Sequence, residues 1–148
     1  MNYTRVPLRM SKRREKSVFH LPVEQQIFVP STTLGQKILR PNIFEKRVEK
    51  VQKYLSQTFG GFTAVKGLGG YYSDPEKRVI QEPVAVVTSF AQSQDFPMKQ
   101  KKLLSQLRRW RRAWHQESMG YEFEGDLYYF GKQEYKRKRL IEKLRGRK

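Results

Sequence analysis

Apolar spacing along this chain switches repeatedly between a period near 3.6 and a period of two, and that alternation leaves few folds open. Phe44, Val48, Val51, Leu55 and Phe59 recur at intervals of 4, 3, 4 and 4, while Glu45, Lys46, Arg47, Glu49, Lys50 and Lys53 fill the opposite side. That is the pattern of an amphipathic helix. Leu103, Leu107, Trp110 and Trp114 repeat it at 4, 3 and 4, with Leu104 alongside, from about Asp95 onward. Residues 25–30, 62–73 and 79–91 are instead β-branched and aromatic, and residues 121–127 alternate around Gly125. These read as strands, the middle two forming a hairpin across Asp74-Pro75-Glu76-Lys77. The order β-α-β-β-α-β with right-handed crossovers predicts an α+β, ferredoxin-like sandwich, an antiparallel four-stranded sheet with both helices on one face.

Finer expectations follow from single residues. Asn42 can cap the first helix, and Gly60-Gly61 can end it with a left-handed residue. Residues 31–41 read as a loop. Pro83 removes a ladder donor, so pairing in its strand is expected to begin beyond it, over 84–90, or to break at a bulge. If Tyr121 and Phe123 face the helices, Glu122 and Glu124 face away from them.

At 148 residues the length suits one domain. The division expected is a basic arm over 1–20, the α+β domain over 21–131 and a basic helix or tail over 132–148. The chain has no cysteine, which excludes disulfides and thiolate metal sites and fits a reducing compartment. No apolar run approaches the ~18 residues a membrane span needs. The first 18 residues lack an apolar stretch followed by a small-residue cleavage site, so a cytoplasmic location is expected. Their Arg-rich, acid-poor composition leaves organellar targeting open.

The stretch from Gln26 to about Tyr129 carries Phe-Gly-Gly-Phe-Thr at 59–63, Ile80-Gln81-Glu82-Pro83, the valine-rich strand 84–87 and His-Gln-Glu-Ser at 115–118. In these it resembles a family of small uncharacterised ferredoxin-like domains. The resemblance implies the fold and assigns no residue a role.

Charge is less evenly spread than the apolar residues. Residues 1–18 hold six Lys or Arg against Glu15, residues 99–112 hold seven and no acid, and residues 132–148 hold nine against Glu134 and Glu142. Of 31 bases and 14 acids, that leaves nine bases and eleven acids for everything else. Such a field concentrates polyanions, and a helix face that tolerates like charges at i,i+4, as at Arg108 and Arg112, points to an anionic partner. The expected function is therefore non-enzymatic nucleic-acid binding, to RNA or a ribonucleoprotein more than to a specific DNA sequence. The helix residues Lys101, Lys102, Arg108, Arg109, Arg111 and Arg112 would act with the arms, Lys12, Arg13, Arg14, Lys136, Arg137, Lys138 and Arg139. No cofactor or membrane partner is expected, and an exposed edge strand offers a route to a homodimer.

Other constellations carry less. Phe28, Tyr71, Tyr72, Tyr128 and Tyr129 could stack bases on an open sheet face, although core packing is the better expectation for Phe28. Glu122 and Glu124 would share a strand face and, with Asp126 or Glu82, could hold a divalent metal for phosphodiester cleavage, the alternative reading as a nuclease. Alternating acids on an edge strand equally serve to prevent edge pairing. A third reading is an assembly protein whose tails bind an acidic partner. His20 and His115 add little, and Gly67-Leu68-Gly69-Gly70 lacks the ending of a phosphate loop.

Overall fold

The computed structural model describes residues 19–131, and within them the two apolar stripes become helices laid on one face of a sheet. In chain order the elements are β1 (Val23–Pro30), β2 (Thr32–Thr33), β3 (Lys37–Ile38), α1 (Pro41–Phe59), β4 (Thr63–Ser73), β5 (Arg78–Ala91), α2 (Phe96–Ala113), β6 (Ser118–Phe123) and β7 (Asp126–Gly131). The main sheet runs β4-β5-β1-β6-β7 with every neighbouring pair antiparallel. Its first four strands have the ferredoxin-like order, and β7 adds a fifth beyond β6. Between sheet and helices lies the core: Ile27, Val29, Ala85, Val87, Met119 and Tyr121 meet Val48, Val51, Leu55, Leu103, Leu107, Trp110 and Trp114. The stripe positions of both helices are thus the buried ones, with Phe59 at the end of α1 partly buried, as their spacing predicts.

Several local expectations are corrected. Residues 31–41 are more than a loop, since β2 and β3 pair across a single helical turn. Asn42 does not cap α1: the helix starts at Pro41 with Arg40 before it and no side-chain cap. Proline in the first turn has a fixed helical φ and lacks only an N–H that would have been unpaired anyway. At the other end Gly60 adopts φ 103° and its N–H bonds the Ser56 carbonyl at 2.9 Å, so the glycine stop is realised.

Pro83 neither delays nor breaks β5. The β4–β5 register runs without a slip from Thr63↔Thr88 to Ser73↔Arg78, through Leu68↔Pro83. The Pro83 carbonyl accepts from Ser31 Oγ at 2.5 Å, and in a strand the N and C=O of one residue point the same way. Its missing donor therefore faces the side where β1 has already ended at Pro30↔Val84, and no ladder bond is lost.

The strand expected over 121–127 is two strands. Glu124 and Gly125 have φ of 52° and 88°, and this two-residue left-handed link joins β6 to β7 as a tight hairpin, the geometry that suits strand twist. Glutamate is a weak marker for such a turn, which hid the fifth strand in the pattern.

Arg47 also departs from its place on the polar side of α1. It is only 6% exposed. Its Nη1 donates to the carbonyls of Pro30 (2.9 Å) and Thr32 (2.8 Å), its Nη2 to that of Trp114 (3.4 Å), and its guanidinium lies 5.1 Å from the Trp114 ring centre. Burial lowers its pKa from the usual value. This side chain fastens the end of β1 and the β2 segment to the C-terminal end of α2. No helix among the described residues is long and apolar enough to cross a membrane.

Candidate functional site

The basic face of α2 is present in part. Lys101, Lys102, Arg108, Arg109 and Arg112 are exposed, and Arg108 rests 5.3 Å from the Phe130 ring centre. Arg111 is not on that face: it is 8% exposed and donates to the Gln116 carbonyl at 3.2 Å. Its place next to Trp110 on the helix turns it inward, so it is removed from the set of contact residues. Lys12, Arg13, Arg14, Lys136, Arg137, Lys138 and Arg139 lie outside the described residues.

The carboxylate pair is not assembled. Glu124 belongs to the β6–β7 turn, where its Oε1 accepts from the Glu24 N–H at 3.1 Å. Glu122 stays in β6, paired with Gln26 and Leu127. Among the described residues no group of three or more His, Cys, Asp or Glu side chains could hold a metal ion. Phe28 sits away from the helix side, half-buried, where a Cβ on Gly120 would meet its ring at 3.2 Å. It belongs to the open face rather than the core, since Ile27 and Val29 take the inward positions. Tyr128 pairs with the buried Tyr121 and so points to the helix side, and Tyr71 accepts a hydrogen bond from Gln36.

A different site emerges where α1 ends and α2 begins. A cleft of about 340 Å³ is lined by Phe19, Leu21, Phe59, Gly60, Gly61, Phe62, Thr63, Thr88, Phe90, Ala91, Gln92, Gln94 and Lys99. Its wall is the Phe-Gly-Gly-Phe-Thr segment in full. Left-handed Gly60 turns the chain off the helix axis, and Ser89 Oγ donates to the Gly61 carbonyl at 2.8 Å, pinning that turn to β5. A Cβ at Gly60 or Gly61 would meet nothing within 4 Å, so open space lies beside both. Phe96, the first residue of α2, packs against Phe59 at 5.8 Å and stacks on Phe123 at 5.4 Å, which fixes where the cleft meets the core.

A chain of polar groups, half-buried at Gln100 and buried at Tyr121 and Gln25, runs next to this corner. Gln100 Nε2 donates to Tyr121 Oη at 3.2 Å, and Tyr121 Oη donates to Gln25 Oε1 at 2.7 Å. Gln25 pairs in register with Ser89. Burial first, with lesser contributions from charged Glu124 and Tyr128, pushes the Tyr121 hydroxyl up to about 12, partly offset by the Gln100 hydrogen bond. A second cavity of about 400 Å³, at the far end of α2, is lined by Leu34, Arg111, Arg112, His115, Gln116 and Glu117. There Gln116 Nε2 is already committed to the Thr32 and Trp114 carbonyls, at 2.6 and 2.9 Å.

Among the described residues the aromatic cleft therefore offers rings, two side-chain amides and one cation, a lining suited to a flat, partly polar small molecule. Sequence reading did not find it, because its walls come from segments remote in the chain. Only the 59–63 motif stood out beforehand, and without a role.

Comparison with known protein families and with curated proteins gives no match. Among solved structures, the chain is similar to a phage SAM lyase in complex with S-methyl-5'-thioadenosine, with a TM-score of 0.53 and 16% identity. It is similar as well to a phage SAM lyase in the apo state, at 0.54 and 19%. Each match covers 75% of this chain and 90% of that one. At such identities the likeness shows the fold. It also corrects the expectation of a non-enzymatic nucleic-acid-binding protein, because the architecture is one that an enzyme uses over nine-tenths of its length.

Proposed function

We propose that this protein is an enzyme that takes a nucleoside sulfonium, SAM or a close relative, into the aromatic cleft and breaks a carbon–sulfur bond in it. The observation that carries the reading is the cleft itself, built by residues 59–63 and by Thr88 to Ala91 of β5 in a fold shared with a lyase of that class. Its volume lies in the range of about 300–1,000 Å³ usual for small-molecule sites.

The lining suits the chemistry. Phe19, Phe59, Phe62 and Phe90 supply π-faces for a purine ring and for the sulfonium charge, an attraction of about 0.5–2 kcal/mol per contact. Gln92 and Gln94 each present a donor and an acceptor, as the edge of an adenine requires. Breaking the bond between sulfur and the amino-acid side chain leaves the bonding pair on sulfur, giving the neutral thioether S-methyl-5'-thioadenosine, while the carbon that loses sulfur takes its new bond from the substrate's own carboxylate oxygen and closes a lactone. Charge on sulfur disappears along that path, so an apolar wall disfavours the starting ion more than the transition state. The departing thioether and the lactone need no proton, and among the described residues none that lines the cleft is a carboxylate or an imidazole.

Incubating the protein with SAM and following S-methyl-5'-thioadenosine by chromatography tests the reaction, with calorimetry of the product testing the site. Turnover that falls at least tenfold in Phe62→Ala and Phe90→Ala, with the fold retained, is expected. Absence of both turnover and product binding in the unaltered protein would end the reading.

A further inference from the structure

Among the described residues the lining of the aromatic cleft contains one charged side chain, Lys99, and three independent facts make that cation unusual. It is half-buried, yet among the described residues it forms no ion pair. It lies in the first turn of α2, which begins at Phe96 and holds no acid there. Positive charge at a helix start opposes the macrodipole, so stability gives no reason for a lysine at this position. The nearest acid in the chain, Asp95, precedes the helix in a left-handed conformation (φ 59°) and makes no side-chain capping bond. A cation at the rim of a cleft with no ion pair among the described residues is placed to meet an anion brought in by a ligand.

We infer that Lys99 recognises the carboxylate on the amino-acid arm of the ligand, and that the cleft uses it to tell an intact amino-acid conjugate from a nucleoside thioether lacking that arm. This rests on the reading of the cleft as a nucleoside sulfonium site. It adds an orientation: the base and sulfur lie among the phenylalanines, and the arm extends to the α2 end. It also assigns the polar end of the ligand to a residue on a rigid helix, where a contact is held more accurately than on a loop. Charge pairing in a half-exposed site is screened by salt, so the preference should shrink as ionic strength rises.

Two uncleavable probes separate the possibilities. S-adenosylhomocysteine carries the amino-acid arm and S-methyl-5'-thioadenosine does not, while both are neutral thioethers at sulfur. Affinities for each are measured by calorimetry with the unaltered protein, Lys99→Met and Lys99→Arg, with circular dichroism to confirm folding. The expected result is about a tenfold loss of S-adenosylhomocysteine affinity in Lys99→Met, with S-methyl-5'-thioadenosine unchanged within about twofold and recovery in Lys99→Arg. If Lys99→Met binds S-adenosylhomocysteine as well as the unaltered protein does, Lys99 does not read the carboxylate, although the cleft still stands. Equal weakening of both probes also overturns the inference, because it assigns Lys99 to the shape of the cleft. Failure of the unaltered protein to bind either probe overturns both the inference and the cleft.

Discussion

Arg47 and Lys99 are both cations at least partly withdrawn from water that form no ion pair among the described residues, and they sit at opposite ends of α2. Arg47 meets three backbone carbonyls, one of them from Trp114 at the helix C-terminus, and an indole face. The negative end of the helix dipole and the carbonyl oxygens together replace the counter-ion. Lys99 meets the positive end and no oxygen close enough for an ion pair among the described residues. A buried charge is thus completed by the fold at one end, and a half-buried one is left without an ion pair at the other, beside a cleft. The difference separates a charge that serves stability from one that serves a ligand.

Arg47 should give the largest effect when that contrast is broken. Arg47→Ala removes the bonds to Pro30, Thr32 and Trp114 and leaves their carbonyls in a space largely closed to water. The expected loss is about 3 kcal/mol or more, read as a lower midpoint in urea unfolding. Arg47→Lys should recover only a part, since an ammonium cannot reproduce the planar fork that spans the end of β1 and Trp114. A loss below about 1 kcal/mol in Arg47→Ala would show that the carbonyls find water instead, and the contrast with Lys99 would fail.

The pattern of the chain revealed the covered layer better than the site. Both helices were legible because a stripe such as Leu103, Leu107, Trp110 and Trp114 has one solution, burial against a sheet. Arg47 was misplaced because periodicity sorts residues by type, and an arginine on a half-polar helix is assigned to water unless its carbonyl partners are visible. The fifth strand was hidden by Glu124-Gly125, a turn whose left-handed angles glutamate rarely announces. Pro83 misled in the opposite direction: its missing donor matters only where a neighbouring strand is present, and β1 ends before it. Lys99 was legible only as one base in a run of seven. Its meaning depends on where the helix starts, and boundaries are the weakest part of any reading by period.

Tyr121 tests an intermediate case, a neutral polar group buried near the cleft and satisfied by two amides. Tyr121→Phe leaves Gln25 Oε1 and Gln100 Nε2 without their present partner, at a cost of about 1–2 kcal/mol near neutral pH. The pH dependence carries a definite sign. Its pKa is about 12 in the fold against about 10 in an unfolded chain, so its contribution is complete below pH 10 and is lost as pH rises from 10 to 12. The stability difference between the unaltered protein and Tyr121→Phe should therefore be flat up to pH 10. Above that it should shrink, approaching about 1.4 kcal/mol per pH unit. A difference that stays constant through pH 12 would mean that the hydroxyl titrates normally and is not sealed in the core.

Lys99 should give the smallest effect on stability, and with the opposite sign to Arg47. Its removal deletes no hydrogen bond or ion pair among the described residues and relieves a cation at the start of α2. Lys99→Met is accordingly expected to unfold at the same urea concentration as the unaltered protein or slightly higher, a gain of about 0.3–0.5 kcal/mol. A residue whose loss leaves the fold equal or more stable is kept for another reason, as is usual where a site is built against the interest of the scaffold. If Lys99→Met instead lost about 1 kcal/mol or more, its four-carbon stem would be packing against the phenylalanines of the cleft, and Lys99 would join Arg47 as a structural cation.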